Sequence, residues 1–324
     1  MPRLVSVVIP CYNASRWIAE AVESCLTQTY QAIEVIVIDD GSTDNSLAVL
    51  RAFGQKIKVE TGSNHGGNHA RNSGFTLSQG DYIQFLDADD CLLSNKIASQ
   101  VSFLEETGAD VVYGDWRHQF HEPDGRIWQD DVHISGHQSD VLASLLAGWW
   151  VAPIALLWRR EAVVASGGWD ETLGAGQDRD FFLSVAMTGA DVRYQPGCYS
   201  IYRRYGPVTV STSNHLRWLE SHQQILEKAE QRLVADGRLT AKYRRAMAKS
   251  YFHTARNFYD IDRQRYRSLM DTVLRLDPEF LPQESPVYNW AWRLMGFEKA
   301  EQLASMKRRF RITPSSHVQE AQES

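Results

Sequence analysis

Between Leu4 and Arg203, short apolar runs of strand length alternate with segments of helical period, and the loops between them are short. Residues 4–10, 33–38, 57–60, 82–86 and 109–113 are the strand candidates, with 192–194 and 199–203 as closing strands. Residues 14–28, 46–53, 69–78 and 93–106 carry the helical spacing of apolar residues. Parallel strands cannot be joined by a tight turn and need a crossover, usually a helix. The alternation therefore predicts β-α-β units in one mostly parallel, doubly wound sheet with helices on its faces.

Three of these strands run into acid. Residues 33–38 end at Asp39 and Asp40, residues 82–86 at Asp87, Asp89 and Asp90, and residues 109–113 at Asp115. Asp is a poor strand former and a good turn former, so the carboxylates belong at strand ends. Ligands of open α/β sheets bind at the carboxyl ends of the strands. Carboxylates crowded there repel one another, and a divalent cation or polar ligand among them relieves that cost.

Asp40 precedes Gly41 and can accept hydrogen bonds from a base N–H or from ribose hydroxyls. Gly66, Gly67 and Arg71 suit a loop where backbone and a guanidinium approach phosphates. Neither a P-loop nor the glycine fingerprint of dinucleotide folds is present. Asp178 and Asp180 open an amphipathic helix. Two residues apart on a helix, they point in different directions, so only one of them can point into a site, and on their own both fit first-turn helix acids. A net charge of -6 argues against nucleic acid as a partner. The four cysteines lack metal-ligand spacing and read as buried thiols of a reducing compartment. No stretch approaches the ~18 apolar residues of a membrane span. The expectation is a cytoplasmic protein, with peripheral membrane contact left open.

Taken in order, several motifs resemble glycosyltransferase family 2, inverting nucleotide-sugar transferases of the GT-A fold. They are residues 5–13 (Val-Ser-Val-Val-Ile-Pro-Cys-Tyr-Asn), 37–44 (Val-Ile-Asp-Asp-Gly-Ser-Thr-Asp), 70–74 (Ala-Arg-Asn-Ser-Gly) and 85–90 (Phe-Leu-Asp-Ala-Asp-Asp). Residues 167–171 (Gly-Gly-Trp-Asp-Glu) and 177–181 (Gln-Asp-Arg-Asp-Phe) add to them. The likeness covers roughly residues 1–210.

It implies a UDP-sugar donor, with Asp40 on the base and Pro10, Tyr12 and Asn13 beside it. Arg71 would hold the nucleotide wall or face the phosphates, and Asp87 and Ala88 would border the ribose. Asp89 would hold Mn2+ or Mg2+, and Asp178 would be the catalytic base. Arg203 and Arg204 would meet the diphosphate, while Trp169, Asp170 and Trp150 would form the acceptor side, a glycan, glycolipid or other hydroxyl compound. Two positions depart from the family pattern: Gln177 stands where many members carry Glu, and Tyr205 where many carry His. His118, His121, His133 and His137 read as solvated loop residues. Two other readings compete with the transferase. One is a catalytically silent nucleotide-sugar-binding scaffold, against which the intact acids argue. The other is a sugar nucleotidyltransferase, which would need a glycine- and arginine-rich loop after the first strand.

Past residue 213 strand patterns vanish. Residues 216–235, 240–259, 264–276 and 288–304 have helical period, and Thr313 begins a polar, frayed end. This divides the chain into a catalytic domain, 1–213, and a helical extension, 214–324. Trp290, Trp292, Phe297, Lys307, Arg308 and Arg309 offer contact with an anionic membrane, with the first domain or with a twin subunit.

Overall fold

The computed structural model describes residues 2–206 and 214–311, with side chains to residue 308. It divides into two compact units, Met1–Leu239 and Thr240–Ser324.

The first unit opens as the sequence pattern predicts. Strands β1 (Val5–Cys11), β2 (Ile33–Asp39), β3 (Lys58–Thr61) and β4 (Tyr82–Phe85) run parallel. Helices α1 (Ile18–Leu26), α2 (Ser46–Arg51) and α3 (Gly67–Leu77) make the crossovers. Val5, Val7, Val8 and Ile9 of β1 are wholly buried, as a central parallel strand requires. Helix α3 lies close on that strand because Gly74 has no side chain. A Cβ there would stand 2.4 Å from Val8 Cγ1.

Beyond β4 the expected parallel order changes. Strand β5 (Cys91–Leu92) and helix α4 (Lys96–Thr107) are followed by a long strand β6 (Val111–His121) and a short β7 (Ile127–Gln129). After α5 (Val141–Leu146), β8 (Leu156–Arg159) enters antiparallel between β4 and β6. Helices α6 (Arg160–Ser166) and α7 (Gln177–Met187) precede one continuous strand β9 (Val192–Tyr205). The sheet order is β3-β2-β1-β4-β8-β6-β9-β5, with β7 on β6. The result is a mixed, mostly parallel sheet flanked by helices. The reversal has a local cause: Pro153–Ala155 forms a single helical turn, which feeds Leu156, Leu157 and Trp158 into the buried gap beside β4.

Asp115 is a correction. It does not end its strand, because β6 runs on to His121. The β6–β9 register shifts around it, and its carboxylate accepts from Ser135 N, the Tyr194 hydroxyl and Gly197 N at 2.9–3.0 Å. It braces a bulge.

The helical region divides after Leu239, whereas the change of pattern falls at residue 213. Helix α8 (His215–Ala235) buries Leu219, Ile225, Leu226 and Leu233, and its Lys228 and His222 bond to Asp180 and Arg179 of α7. In the second unit, α9 (Ala241–Phe258), α10 (Arg263–Leu276) and α11 (Pro286–Arg311) enclose an aromatic core. Helix α11 kinks at Gly296, where φ is 79°. Trp292 and Phe297 point into that core, Trp290 is exposed, and Arg308 pairs with Glu301. The side chain of Arg309 and the end from Thr313 lie outside the described residues. No described helix is long and apolar enough to cross a membrane.

Candidate functional site

The carboxyl ends of β1, β2 and β4 open on a cleft of about 520 Å3. The register explains why: Cys11 lies opposite Asp39, and Val8 opposite Phe85, so the loops after all three strands emerge at one edge. Eleven of the fourteen residues singled out above line it: Pro10, Tyr12, Asn13, Asp40, Arg71, Asp87, Ala88, Asp89, Asp178, Arg203 and Arg204.

The wall at β1 and β2 is knitted together by side chains. Asn13 adopts φ 50°, a left-handed conformation that Asn tolerates. Its Oδ1 accepts from Thr43 N at 2.8 Å, and its own N–H donates to Ser42 Oγ at 3.0 Å. Asp40 is buried, and its two oxygens accept from the backbone N–H groups of His65 and Gly66, both at 2.8 Å. It therefore anchors the glycine-rich loop. Each carboxylate oxygen keeps a second lone pair for another donor. Asp39 turns away, accepting from the Thr61 hydroxyl at 2.8 Å.

The floor is charged. Arg71 donates to Asp87 Oδ1 at 2.6 Å and lies over the Trp169 ring at 4.6 Å. Asp89 accepts from the Tyr205 hydroxyl at 3.0 Å. Burial raises the proton affinity of Asp89, and the neighbouring Asp87 charge adds to it. Asp90 is fully enclosed and accepts from Arg203 N at 2.8 Å, which fastens the end of β9 to the acidic turn.

The far wall is the N-terminus of α7. Gly176, at φ 67°, turns the chain so that Gln177 and Asp178 face the cleft. Asp178 Oδ1 is enclosed and has no hydrogen-bond partner among the described residues. Burial pushes its carboxyl up to about 6; the Arg71 charge pulls the other way, and Asp87 adds to the rise. Asp180 points elsewhere and pairs with Lys228 at 2.9 Å. A carboxyl with one unpartnered oxygen and its pKa near neutrality is equipped to take a proton.

The cations differ from one another. Arg203 is buried, paired with Glu20 and held over the Trp17 ring at 5.0 Å. Arg204 lies over Tyr202 at 4.7 Å and has no carboxylate partner among the described residues. Arg204 is thus the cation available to a ligand.

Two of the three residues expected on the acceptor side are engaged within the fold. Trp169 is buried, with its face stacked on Phe181 at 4.2 Å and 6°, so that face is not open to a sugar ring. Asp170 accepts from Thr172 and pairs with Lys228 at 2.7 Å. Burial raises its carboxyl, but these partners outweigh that and hold it at about 2. Trp150 is part-exposed, edge-on to Trp116 at 5.4 Å and 6.3 Å from Tyr202 of the cleft wall. Beside the cleft, Trp150 is exposed and Tyr202 lines the wall, with the buried Trp116 packed between them. Spacing in the sequence gave no sign of this, because β6 and β9 bring them together only after pairing.

Residues 6–162 match the sequence model of Glycosyl transferase family 2. Glycosyltransferase GlyG of Streptococcus pneumoniae serotype 4 is 40% identical over 132 residues, which are 40% of this chain and 44% of GlyG. An uncharacterized glycosyltransferase of Haemophilus influenzae is 39% identical over 117 residues, 35% of this chain and 47% of the relative. The matches thus span less than half the length of either curated relative. Among solved structures, S. aureus TarS 1-349 in complex with UDP-GlcNAc superposes with a TM-score of 0.67 at 17% identity, covering 95% of this chain and 92% of that one. The mannosyltransferase PcManGT from Pyrobaculum calidifontis, in complex with GDP-Man and Mn2+, gives 0.51 at 17% identity, covering 96% and 88%. At such identities the superpositions bear on the fold alone.

Proposed function

We propose, from its membership of glycosyl transferase family 2 through residues 6–162, that this chain transfers a sugar from a nucleoside-diphosphate-sugar, a UDP-sugar in our reading, to an acceptor hydroxyl. The transfer inverts the anomeric carbon and serves surface glycan or glycoconjugate synthesis. The observation that carries this reading is Asp178: a carboxyl whose enclosed Oδ1 has no hydrogen-bond partner among the described residues, shifted to about 6, across one cleft from a wall suited to a nucleotide.

A sugar hydroxyl is a poor nucleophile until its proton leaves, and Asp178 is placed to accept that proton. One base without an enzymic nucleophile gives attack opposite the leaving group, hence inversion. Asp40 and the Pro10–Asn13 backbone receive the base. Arg71 keeps Asp87 in place toward the ribose, and Arg204 meets the diphosphate charge. Arg203 is engaged by Glu20 and acts by fixing β9.

The acids fit a divalent cation. Asp89 is partly buried beside a second carboxylate, and its proton affinity is raised by that crowding. An all-oxygen site completed by phosphate and water suits Mg2+ or Mn2+. When bound, the ion would stabilise the negative charge of the departing diphosphate. Asp89 would hold it, with the Tyr205 hydroxyl orienting that carboxylate.

A panel of nucleotide-sugars assayed for Mn2+-dependent hydrolysis and thermal stabilisation tests the reading. One UDP-sugar should stabilise the protein and turn over. Calorimetric titration of UDP should tighten with Mn2+ in the wild type and lose that dependence in Asp89→Ala. An unchanged metal dependence in the variant would move the ion elsewhere.

A further inference from the structure

Residues 117–137 carry no period, and their histidines read as solvated. The fold gives a different picture. Strands β6 and β7 form a hairpin, and the chain beyond β7 returns so that His133 pairs backbone-to-backbone with Trp116. His118 Nδ1 then lies 2.7 Å from Asp130 Oδ2, His133 Nε2 lies 2.8 Å from the same oxygen, and the two ring nitrogens are 3.1 Å apart. Three Lewis-basic atoms thus surround one point.

The surroundings hold them there. The second oxygen of Asp130 accepts from His118 N at 2.7 Å. The His133 ring stacks on Trp116 at 4.2 Å and 14°, and the His118 ring stacks on Tyr202 at 5.5 Å and 29°. These contacts fix both rings, while the remaining His118 nitrogen, Nε2, is buried without a hydrogen-bond partner among the described residues. His118 is mostly buried, whereas His133 is open to solvent, which leaves an entry path and a coordination position for water.

We propose that His118, Asp130 and His133 bind a Zn2+-class transition-metal ion, separate from the donor-site cation, which clips the β6–β7 hairpin beside the cleft. Two imidazoles and a carboxylate favour such an ion over Mg2+ or Ca2+, which prefer oxygen alone. Ligand atoms about 2.0–2.1 Å from a tetrahedral Zn2+ lie roughly 3.3 Å apart. The three separations here need to widen by only tenths of an ångström. Bound this way, His118 carries its remaining proton on Nε2 and His133 on Nδ1. The site is independent of the proposed transferase activity.

The test uses the full chain without nucleotide. Zn2+ titration followed by calorimetry should show one tight site in the wild type. His133→Ala and Asp130→Asn should each weaken it at least tenfold, while Asp89→Ala leaves it within twofold. Co2+ added to His133→Cys should produce a near-ultraviolet thiolate-to-metal absorption band that the wild type lacks, and this gain of signal does not depend on the other variants folding. Absence of a tight Zn2+ site in the wild type would overturn the proposal. So would unchanged affinity in folded His133→Ala, or no new band in His133→Cys.

Discussion

Asp178 and Arg71 set each other's properties. Burial and Asp87 raise the Asp178 carboxyl, and the Arg71 guanidinium restrains that rise. A base works only when deprotonated, so activity should climb with pH through an acid limb near 6. Replacing Arg71 by Met removes the opposing positive charge and frees the Asp87 charge. Both effects favour the protonated form of Asp178. The acid limb of kcat/KM should therefore move to higher pH in Arg71→Met, together with a loss of donor affinity of tenfold or more; a pH–rate profile checks this. Much of this residue-level picture was legible in the chain. Asp40, Arg71, Asp87, Asp89 and Asp178 follow strands or open helices, and local pattern alone predicts where those ends lie. That Trp169 and Asp170 are covered was not legible, because local pattern cannot tell whether a face in a glycine turn is covered. Phe181 and Lys228, which cover them, come from elements further along the chain.

Helix α7 carries Asp178, the proposed base, and α8 is tied to α7 by Lys228. Lys228 of α8 neutralises Asp180, nearly buried, together with Asp170. The Lys228 side chain is itself 43% exposed, which screens the pair. Lys228→Met should cost about 1–3 kcal/mol at pH 8, chiefly by leaving Asp180 unpaired. Burial already raises the folded-state pKa of Asp180, and without Lys228 it rises further. Below that pKa the carboxyl is neutral and the penalty disappears. The loss of stability should therefore shrink as pH falls, a trend that urea unfolding at pH 8 and pH 5 would resolve. A loss equal at both values would mean that Lys228 acts by packing alone. The elements themselves were legible where their period was strong, as in β1, β2 and α8. Strand β8 and the continuation of β6 were not. Both depend on partner strands, and an apolar run such as 149–158 does not announce its direction in a sheet.

At the scale of the whole molecule, the chain divides into two compact units. In the second, Glu301 is fully buried, bonded to Arg256 at 2.8 Å, Arg308 at 2.7 Å and the Tyr288 hydroxyl at 2.7 Å. Arg256 keeps Glu284 as a second partner, and Arg308 is 42% exposed, so water screens part of the loss. Glu301→Gln should cost the second unit about 1–3 kcal/mol, seen as a lowered calorimetric transition, while UDP affinity in the first unit stays within twofold. A parallel loss of UDP binding would mean that the units do not unfold separately. The order of strands, the cleft at their carboxyl ends and the Asp178 helix opposite make one claim about the first unit: Asp178 is the base of a sugar transfer. The most direct measurement is the turnover of Asp178→Asn on a UDP-sugar identified by the panel, beside its UDP affinity. The account predicts a kcat lower by about 10²–10⁴-fold with UDP affinity within threefold of wild type. Turnover near the wild-type rate in a folded, UDP-binding variant would contradict it.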